Sequence, residues 1–304
     1  MMIEEMIKPP LLQVGDRVAV IAPAGLVDRD KTERAIAIIE SWGLRVSRGE
    51  HLYERHGIFA GMDGQRLADL QGALDDSSIK AVIYARGGYG MSRIIADVDF
   101  NALREEPKWV LGYSDITVLH LFINCKAGIS TLHGEMPLNY HKSAGSPSLG
   151  TLRRVLFEGA LDYEWETGPM REGTAAGLIV GGNLSLISNL MGTGIREYLE
   201  GNILFIEERG EYLYSLDRMI SGLALAGVLE KLKGLIVGGL TGMKESDVRY
   251  ACGVNDIIMD SVSGYGYPLA FGFPAGHIKD NRALVTGAPV SFDVSGGRAS
   301  LVYE

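Results

Sequence analysis

Two glycine-rich turns carry residue types from which acyl-transfer chemistry could be built. In Trp109-Val110-Leu111-Gly112-Tyr113-Ser114-Asp115-Ile116 an apolar run ends in Gly-Tyr, and a helical pattern begins just after the serine. A serine at a sharp strand-to-helix turn presents its hydroxyl at the rim of a sheet, the geometry of a nucleophile elbow. The helix start favours developing negative charge, and the Asp115 N–H is placed to donate to an oxyanion. The same residue type also caps helices, and Ile116 stands where G-x-S-x-G would have its second glycine, so the generic hydrolase motif does not match. Upstream, Arg86-Gly87-Gly88-Tyr89-Gly90 follows another apolar run. A Gly-Gly turn there exposes N–H groups suited to an oxyanion or a phosphate. Neither a Lys-Ser/Thr nor a G-x-G-x-x-G pattern accompanies it, which argues against the phosphate.

A serine nucleophile needs a base and an orienting acid within hydrogen-bond reach. The chain has six histidines: His51, His56, His120, His133, His141 and His277. His120 falls inside the helical pattern after Ser114 and reads as packed or surface. His51 and His56 flank a polar loop and read as solvent-facing. His133, in Thr131-Leu132-His133-Gly134-Glu135, could line a crevice. Its H-x-E spacing lacks the P-C-x-x-C partner of zinc deaminases, so no metal is expected there. His277 differs, because Gly272, Pro274 and Gly276 frame it on a loop, although a surface histidine would read the same way. Glu207 closes the apolar run Asn202 to Ile206, so its carboxylate should emerge at a sheet edge, either as an orienting acid or as a solvated charge.

These residues are spread over a pattern of alternating elements. Arg17 to Ala22, Leu44 to Ser47, Lys80 to Ala85 and Lys108 to Gly112 read as strands. Helical spacing over Asp30 to Trp42, Asp63 to Leu74, Met91 to Ala96 and Asp115 to Lys126 alternates with them. That rhythm predicts an α/β fold: an open, mostly parallel sheet with helices on both faces, whose ligand crevice lies at the carboxyl ends of the strands. Both glycine turns sit at such ends. A polar, breaker-rich stretch interrupts the pattern, predicting a first domain over 1–150, a linker over 151–175 and a smaller α/β domain over 176–304. In the latter, Ala176 to Val180, Asn202 to Glu207 and Gly234 to Val237 read as strands. Leu184 to Met191, Ser215 to Ala226 and Asn255 to Ser261 read as helices, and Arg282 to Tyr303 as a hairpin or small meander.

Composition narrows the partners. The 304 residues carry a formal charge of −9, with 46% hydrophobic and 22% charged residues. That is a globular composition with a sizeable core, and the acidic balance argues against nucleic acid and against an anionic membrane surface. No apolar run reaches membrane-spanning length. The first ten residues, with Glu4 and Glu5, do not read as a signal peptide. Cys125 and Cys252 follow no C-x-x-C spacing and read as reduced, buried thiols of a cytoplasmic protein. The 40 glycines cluster at the ends of apolar runs, where tight turns and exposed amides are wanted.

Taken together, several motifs resemble the murein tetrapeptide LD-carboxypeptidases, a serine peptidase family that includes the microcin-immunity peptidases. In order they are Val14-Gly15-Asp16 with Val18 to Pro23, Arg86 to Gly90, Gly112 to Thr117, Gly181-Gly182-Asn183-Leu184-Ser185, Ile206-Glu207-Glu208, Asp217-Arg218-Met219 and Gly276-His277. The resemblance implies a cofactor-free, metal-independent enzyme with Ser114 as nucleophile, His277 as base and then acid, and Glu207 orienting the imidazole. It implies an oxyanion hole of the Gly88 and Asp115 N–H groups, a site in the cleft between two domains, and a homodimer. The implied substrate is a cell-wall tetrapeptide, cut between the L-centre of diaminopimelate or lysine and the terminal D-Ala. Glu135 departs from the proline that many relatives have after His-Gly, and with Arg86 and Arg209 it is a candidate substrate contact. Two rivals stay open: a hydrolase of peptidyl-nucleotides or other acylated small molecules, and a non-catalytic two-lobed binding protein.

Overall fold

Uninterrupted apolar runs such as Val18-Ala19-Val20-Ile21 suit strands that are covered on both faces, because every side chain is then removed from water. In the computed structural model, which describes residues 6–143, 145–159 and 161–304, these runs form the centre of the first sheet. Glu4 and Glu5 lie outside the described residues. Strands β1 (Arg17–Ile21), β2 (Arg45–Arg48), β3 (Ile79–Tyr84), β4 (Trp109–Gly112) and β5 (Thr131–His133) pair in parallel in the order β2-β1-β3-β4-β5. The central strands are buried almost throughout, whereas β2 at the edge is partly exposed. This is a doubly wound order, whose direction of winding reverses between β1 and β3. The turns after β1, β3 and β4 therefore converge on the place where such sheets bind ligands.

Helices supply the cover. Arg29–Ser41 begins at Asp28, whose carboxylate accepts the Lys31 N–H at 2.9 Å. Asp63–Asp75 ends over the buried ammonium of Lys108, which donates to the carbonyls of Leu74 at 2.8 Å and Asp76 at 2.7 Å. Burial lowers the Lys108 pKa, and the carbonyls it meets are the acceptors a helix C-terminus leaves unpaired. The segment read as one helix after Ser114 is three turns of different pitch. It has a 3₁₀ turn over Ser114–Ile116, an α-helix over Thr117–Phe122 and a π turn over Ile123–Ala127, closed by Gly128 at φ +72°.

The chain divides into two compact units, Met1–Ala160 with Asp280–Gly287, and Leu161–Lys279 with Ala288–Glu304. The stretch 151–175, read as a linker, is mostly ordered structure. The helix Pro147–Glu158 carries Leu149, Leu152, Val155 and Leu156 into the core of the first unit. Strands β6 (Tyr163–Glu166), β7 (Met170–Arg171) and the start of β8 (Gly173–Asn183) belong to the second. Its sheet continues with β9 (Ile203–Arg209), β10 (Gly234–Thr241) and β11 (Leu269–Phe271).

The last segment does not form the single meander its alternation suggests. β12 (Leu284–Thr286) pairs antiparallel with β5, and the Thr286 and Thr131 hydroxyls meet at 2.9 Å in the first unit. Only β13 (Ala288–Ser295) and β14 (Arg298–Tyr303) form the hairpin of the second. Alternating burial looks alike in both cases, so the split is a matter of partners that periodicity does not carry. The eight-stranded sheet runs β6-β14-β13-β8-β9-β10-β11-β7, parallel over β8 to β11 and antiparallel on either side. Phe205 and Trp165 pack edge-on against Phe273 in its core, and Phe292 stacks on Trp165. No helix among the described residues is long and apolar enough to cross a membrane. Cys125 and Cys252 form no disulfide, and both are partly exposed rather than buried as expected.

Candidate active site

In the first unit the candidate groups are held by the backbone. Among the described residues Ser114 is the only one other than glycine with positive φ, at +63°. A non-glycine residue there is strained, by roughly 1–3 kcal/mol, and such strain gathers at functional turns. The residue before the 3₁₀ turn is Tyr113, and no side-chain cap bond is made there. Neighbouring glycines make room: a Cβ on Gly112 would meet Ile116 at 2.9 Å, and one on Gly87 would stand 3.0 Å from Ser114 Cβ and 3.2 Å from its Oγ. The turn after β3 thus lies directly against the serine.

That turn is itself fixed. The Gly25 N–H donates to the Gly87 carbonyl at 3.0 Å, linking the turns after β1 and β3. Gly88 has φ +106° and is exposed, and its N–H has no acceptor among the described residues. Asp115 is buried, and its Oδ2 accepts the Met91 N–H at 2.9 Å. Desolvation raises the Asp115 pKa to about 6, opposed by the Met91 amide, the Arg66 charge and the Gly90 amide.

In the second unit a buried side chain holds the histidine. Glu207 is fully buried in β9, the fifth of eight strands. It was expected to emerge at a sheet edge, but the strand runs on to Arg209, with Asn183 of β8 opposite Glu207 and Leu240 of β10 opposite Glu208. The carboxylates at 207 and 208 alternate between faces. Glu207 Oε2 accepts from His277 Nδ1 at 2.7 Å and from the His277 N–H at 3.1 Å. Glu208 instead accepts from Asn183 Nδ2 at 3.0 Å and the Ser185 N–H at 2.7 Å. Burial works against a charged His277, but the hydrogen bond and charge of Glu207 outweigh it and the His277 pKa is raised. The Glu207 contact fixes the orientation of the ring, with Nδ1 toward the carboxylate.

The loop that carries His277 needs its glycine. Gly276 has φ +109°, and a Cβ there would stand 2.7 Å from Glu207 Cβ. Thr241 Oγ1 donates to the His277 carbonyl at 3.0 Å, and the Gly239 N–H to the Ala275 carbonyl at 2.9 Å.

The remaining candidates fall in varied places. Arg86 donates to the Leu26 carbonyl at 2.9 Å. Glu135 is buried in the first unit, accepting from the Met136 N–H at 3.2 Å and from Asn139 Nδ2 at 3.0 Å. It ties the start of the helix Pro137–Ser143 instead of presenting a free charge. Arg209 is exposed at the end of β9. His120 is fully buried, donating from Nε2 to the Gly112 carbonyl at 2.9 Å, and burial lowers its pKa to about 4. His133 is buried against the Tyr113 ring. His56 is exposed, as read, and His141 is exposed as well. His51, read as solvent-facing, is half-buried and bound to Asp69 at 2.8 Å.

Sequence reasoning missed Arg66, a buried guanidinium beside the Gly87–Gly90 turn. Its signal was present: it lies on the apolar stripe of its helix, in line with the buried Leu70, Ala73 and Leu74.

Comparison with known proteins adds a separate finding. The sequence profile described as the LD-carboxypeptidase N-terminal domain matches residues 18–134, and the one described as the LD-carboxypeptidase C-terminal domain matches residues 176–292. The chain is 35% identical over 296 residues to a probable murein peptide carboxypeptidase of Bacillus subtilis, covering 95% of this chain and 92% of that protein. The crystal structure of a muramoyltetrapeptide carboxypeptidase from Oxalobacter formigenes superposes with a TM-score of 0.86 at 28% identity, covering 95% of this chain and 99% of the other. The microcin C7 self-immunity protein MccF shares the fold, with a TM-score of 0.87 at 19% identity over 98% of this chain and 99% of that one.

Proposed function

Because the chain belongs to the LD-carboxypeptidase family, we propose that it is a serine carboxypeptidase that releases the terminal D-Ala from cell-wall tetrapeptides. Its triad in this reading is Ser114, His277 and Glu207. The observation that carries the reading is the buried Glu207 carboxylate 2.7 Å from His277 Nδ1. It supports the tautomer in which Nε2 can accept a proton, the arrangement a serine nucleophile requires.

The chemistry follows the general acyl-transfer route. Ser114 Oγ attacks the carbonyl carbon of the scissile bond as His277 Nε2 takes its proton. The carbonyl oxygen becomes an oxyanion and accepts hydrogen bonds from the Gly88 and Asp115 N–H groups. Collapse breaks the C–N bond, and the imidazolium gives its proton to the departing D-Ala amine. Water then attacks the acyl-serine, with His277 again taking a proton and returning it to Ser114. No metal or cofactor enters any step. Arg209, two residues beyond Glu207, is the candidate for the substrate carboxylate. The name of the B. subtilis relative supports the substrate class. The proposal extends to a cytoplasmic homodimer, which cell fractionation and light scattering would check.

The test is D-Ala release from an L,D-tetrapeptide by the wild type and by Ser114→Ala, both with EDTA. The account expects chelator-indifferent release by the wild type and a loss on the order of 10⁶-fold in kcat for the variant. Equal release by both would reduce Ser114 to a structural turn residue.

A further inference from the structure

The Gly87–Gly90 turn is gripped at its far end by two buried charges that the triad chemistry does not use. Arg66 is fully buried; its Nη1 donates to the Gly90 carbonyl at 3.1 Å and to the Pro23 carbonyl at 2.5 Å. Its Nη2 pairs with Asp63, which also accepts from Arg93 Nη2 at 2.6 Å. One residue on, the Met91 N–H donates to Asp115 Oδ2 at 2.9 Å. Gly90 has φ +149°, and a Cβ there would stand 2.5 Å from Arg66 Nη1, so the glycine admits the guanidinium.

Burying a guanidinium and a carboxylate is unfavourable until their partners compensate. An apolar pair could fill the same space, but it could not hold a carbonyl and an amide of the turn in fixed directions. We propose that Arg66 and Asp115 are positioning residues for the oxyanion hole, clamping the turn through the Gly90 carbonyl and the Met91 amide so that the Gly88 N–H is aimed at the developing oxyanion. This rests on the reading that Ser114 is the nucleophile and Gly88 a donor. Asp115 then acts twice: its amide donates to the oxyanion while its side chain orients the other donor. A preorganised donor contributes in the transition state more than in substrate binding, so the clamp acts on kcat rather than KM. Burial raises the Asp115 pKa, so desolvation disfavours its charged form.

The test compares Asp115→Ala, Asp115→Asn, Arg66→Met and Arg66→Lys with the wild type. It measures kcat, KM, the thermal midpoint, and affinity for a peptide boronic acid whose tetrahedral oxygen occupies the hole. Asp115→Ala and Arg66→Met are expected to lower kcat roughly 10²-fold to 10³-fold, the scale of a lost oxyanion donor. KM should stay within about threefold, and boronate affinity should fall in parallel with kcat/KM. Asp115→Asn, which keeps an acceptor for the Met91 amide, and Arg66→Lys, which keeps a buried donor, should recover part of that loss. Boronate affinity that stays at the wild-type value while kcat falls would overturn the proposal. So would kcat losses that track the thermal midpoint with no recovery in the conservative variants. An inactive wild type, or an active Ser114→Ala, would overturn the underlying reading and the clamp with it, an outcome distinct from a failed clamp in an active, Ser114-dependent enzyme.

Discussion

At Ser114, the proposed nucleophile, the protein holds a hydroxyl by backbone geometry, with a positive φ, a flanking Gly112 and a close-packed Gly87. At His277 it holds a ring by a side chain, the buried Glu207, with a glycine admitted only so that the loop can pass over that carboxylate. The first arrangement stores strain, and the second desolvates a charge. They should therefore fail differently. A backbone device is sensitive to added bulk at its glycines, whereas a side-chain device is sensitive to the charge and hydrogen bonding of one acid.

The largest separation is expected from Glu207→Gln. A glutamine amide can donate to Nδ1 and hold the ring in the tautomer that is useless for catalysis, so kcat should fall on the order of 10⁴-fold. The pH profile gives the sign. Glu207 raises the His277 pKa, and the base acts only when neutral. The acid limb of kcat/KM in the wild type should therefore lie above the ordinary imidazole value and move down in Glu207→Gln. An unmoved limb would mean that another group titrates.

Gly87→Ala probes the backbone device. Its methyl would stand 3.2 Å from Ser114 Oγ, enough to displace the nucleophile by a fraction of an ångström. A kcat loss of about 10²-fold with KM nearly unchanged is expected, and steady-state kinetics measures it. Full activity would show that the turn yields and the elbow is not tightly constrained.

Gly276→Ala should act first on folding. It combines a positive φ with a methyl 2.7 Å from Glu207 Cβ, so the strain alone should remove about 1–3 kcal/mol. Denaturant unfolding would show it, and the residual activity at saturating substrate would show how far the Glu207–His277 bond survives.

Much of this was legible in the sequence because it rests on local rules. The strands β1, β3 and β4 are continuous apolar runs, and the elbow stands where one of them meets a helical pattern. The glycines around His277 marked a positioned loop, and it was the family resemblance that named this histidine as the base. The burial of Glu207 was not legible, because a charge after an apolar run looks like the end of a strand. Only a non-local partner, His277 with its Nδ1 and its N–H, satisfies the buried carboxylate. β12 escaped for the same reason: its partner β5 lies about 150 residues upstream, as the Thr131–Thr286 contact shows. Glu135 stood out by its type, but its burial and the bonds of its Oε1 with the Met136 amide and Asn139 depend on packing that the sequence does not display.

The central claim is covalent chemistry at Ser114 driven by His277. It is tested most directly by reacting the protein with a peptidyl fluorophosphonate and mapping the adduct by mass spectrometry. The account predicts one adduct, on Ser114, formed far more slowly in His277→Ala and in Glu207→Gln. An adduct on another residue, or equal labelling of Ser114 when His277 is removed, would contradict it.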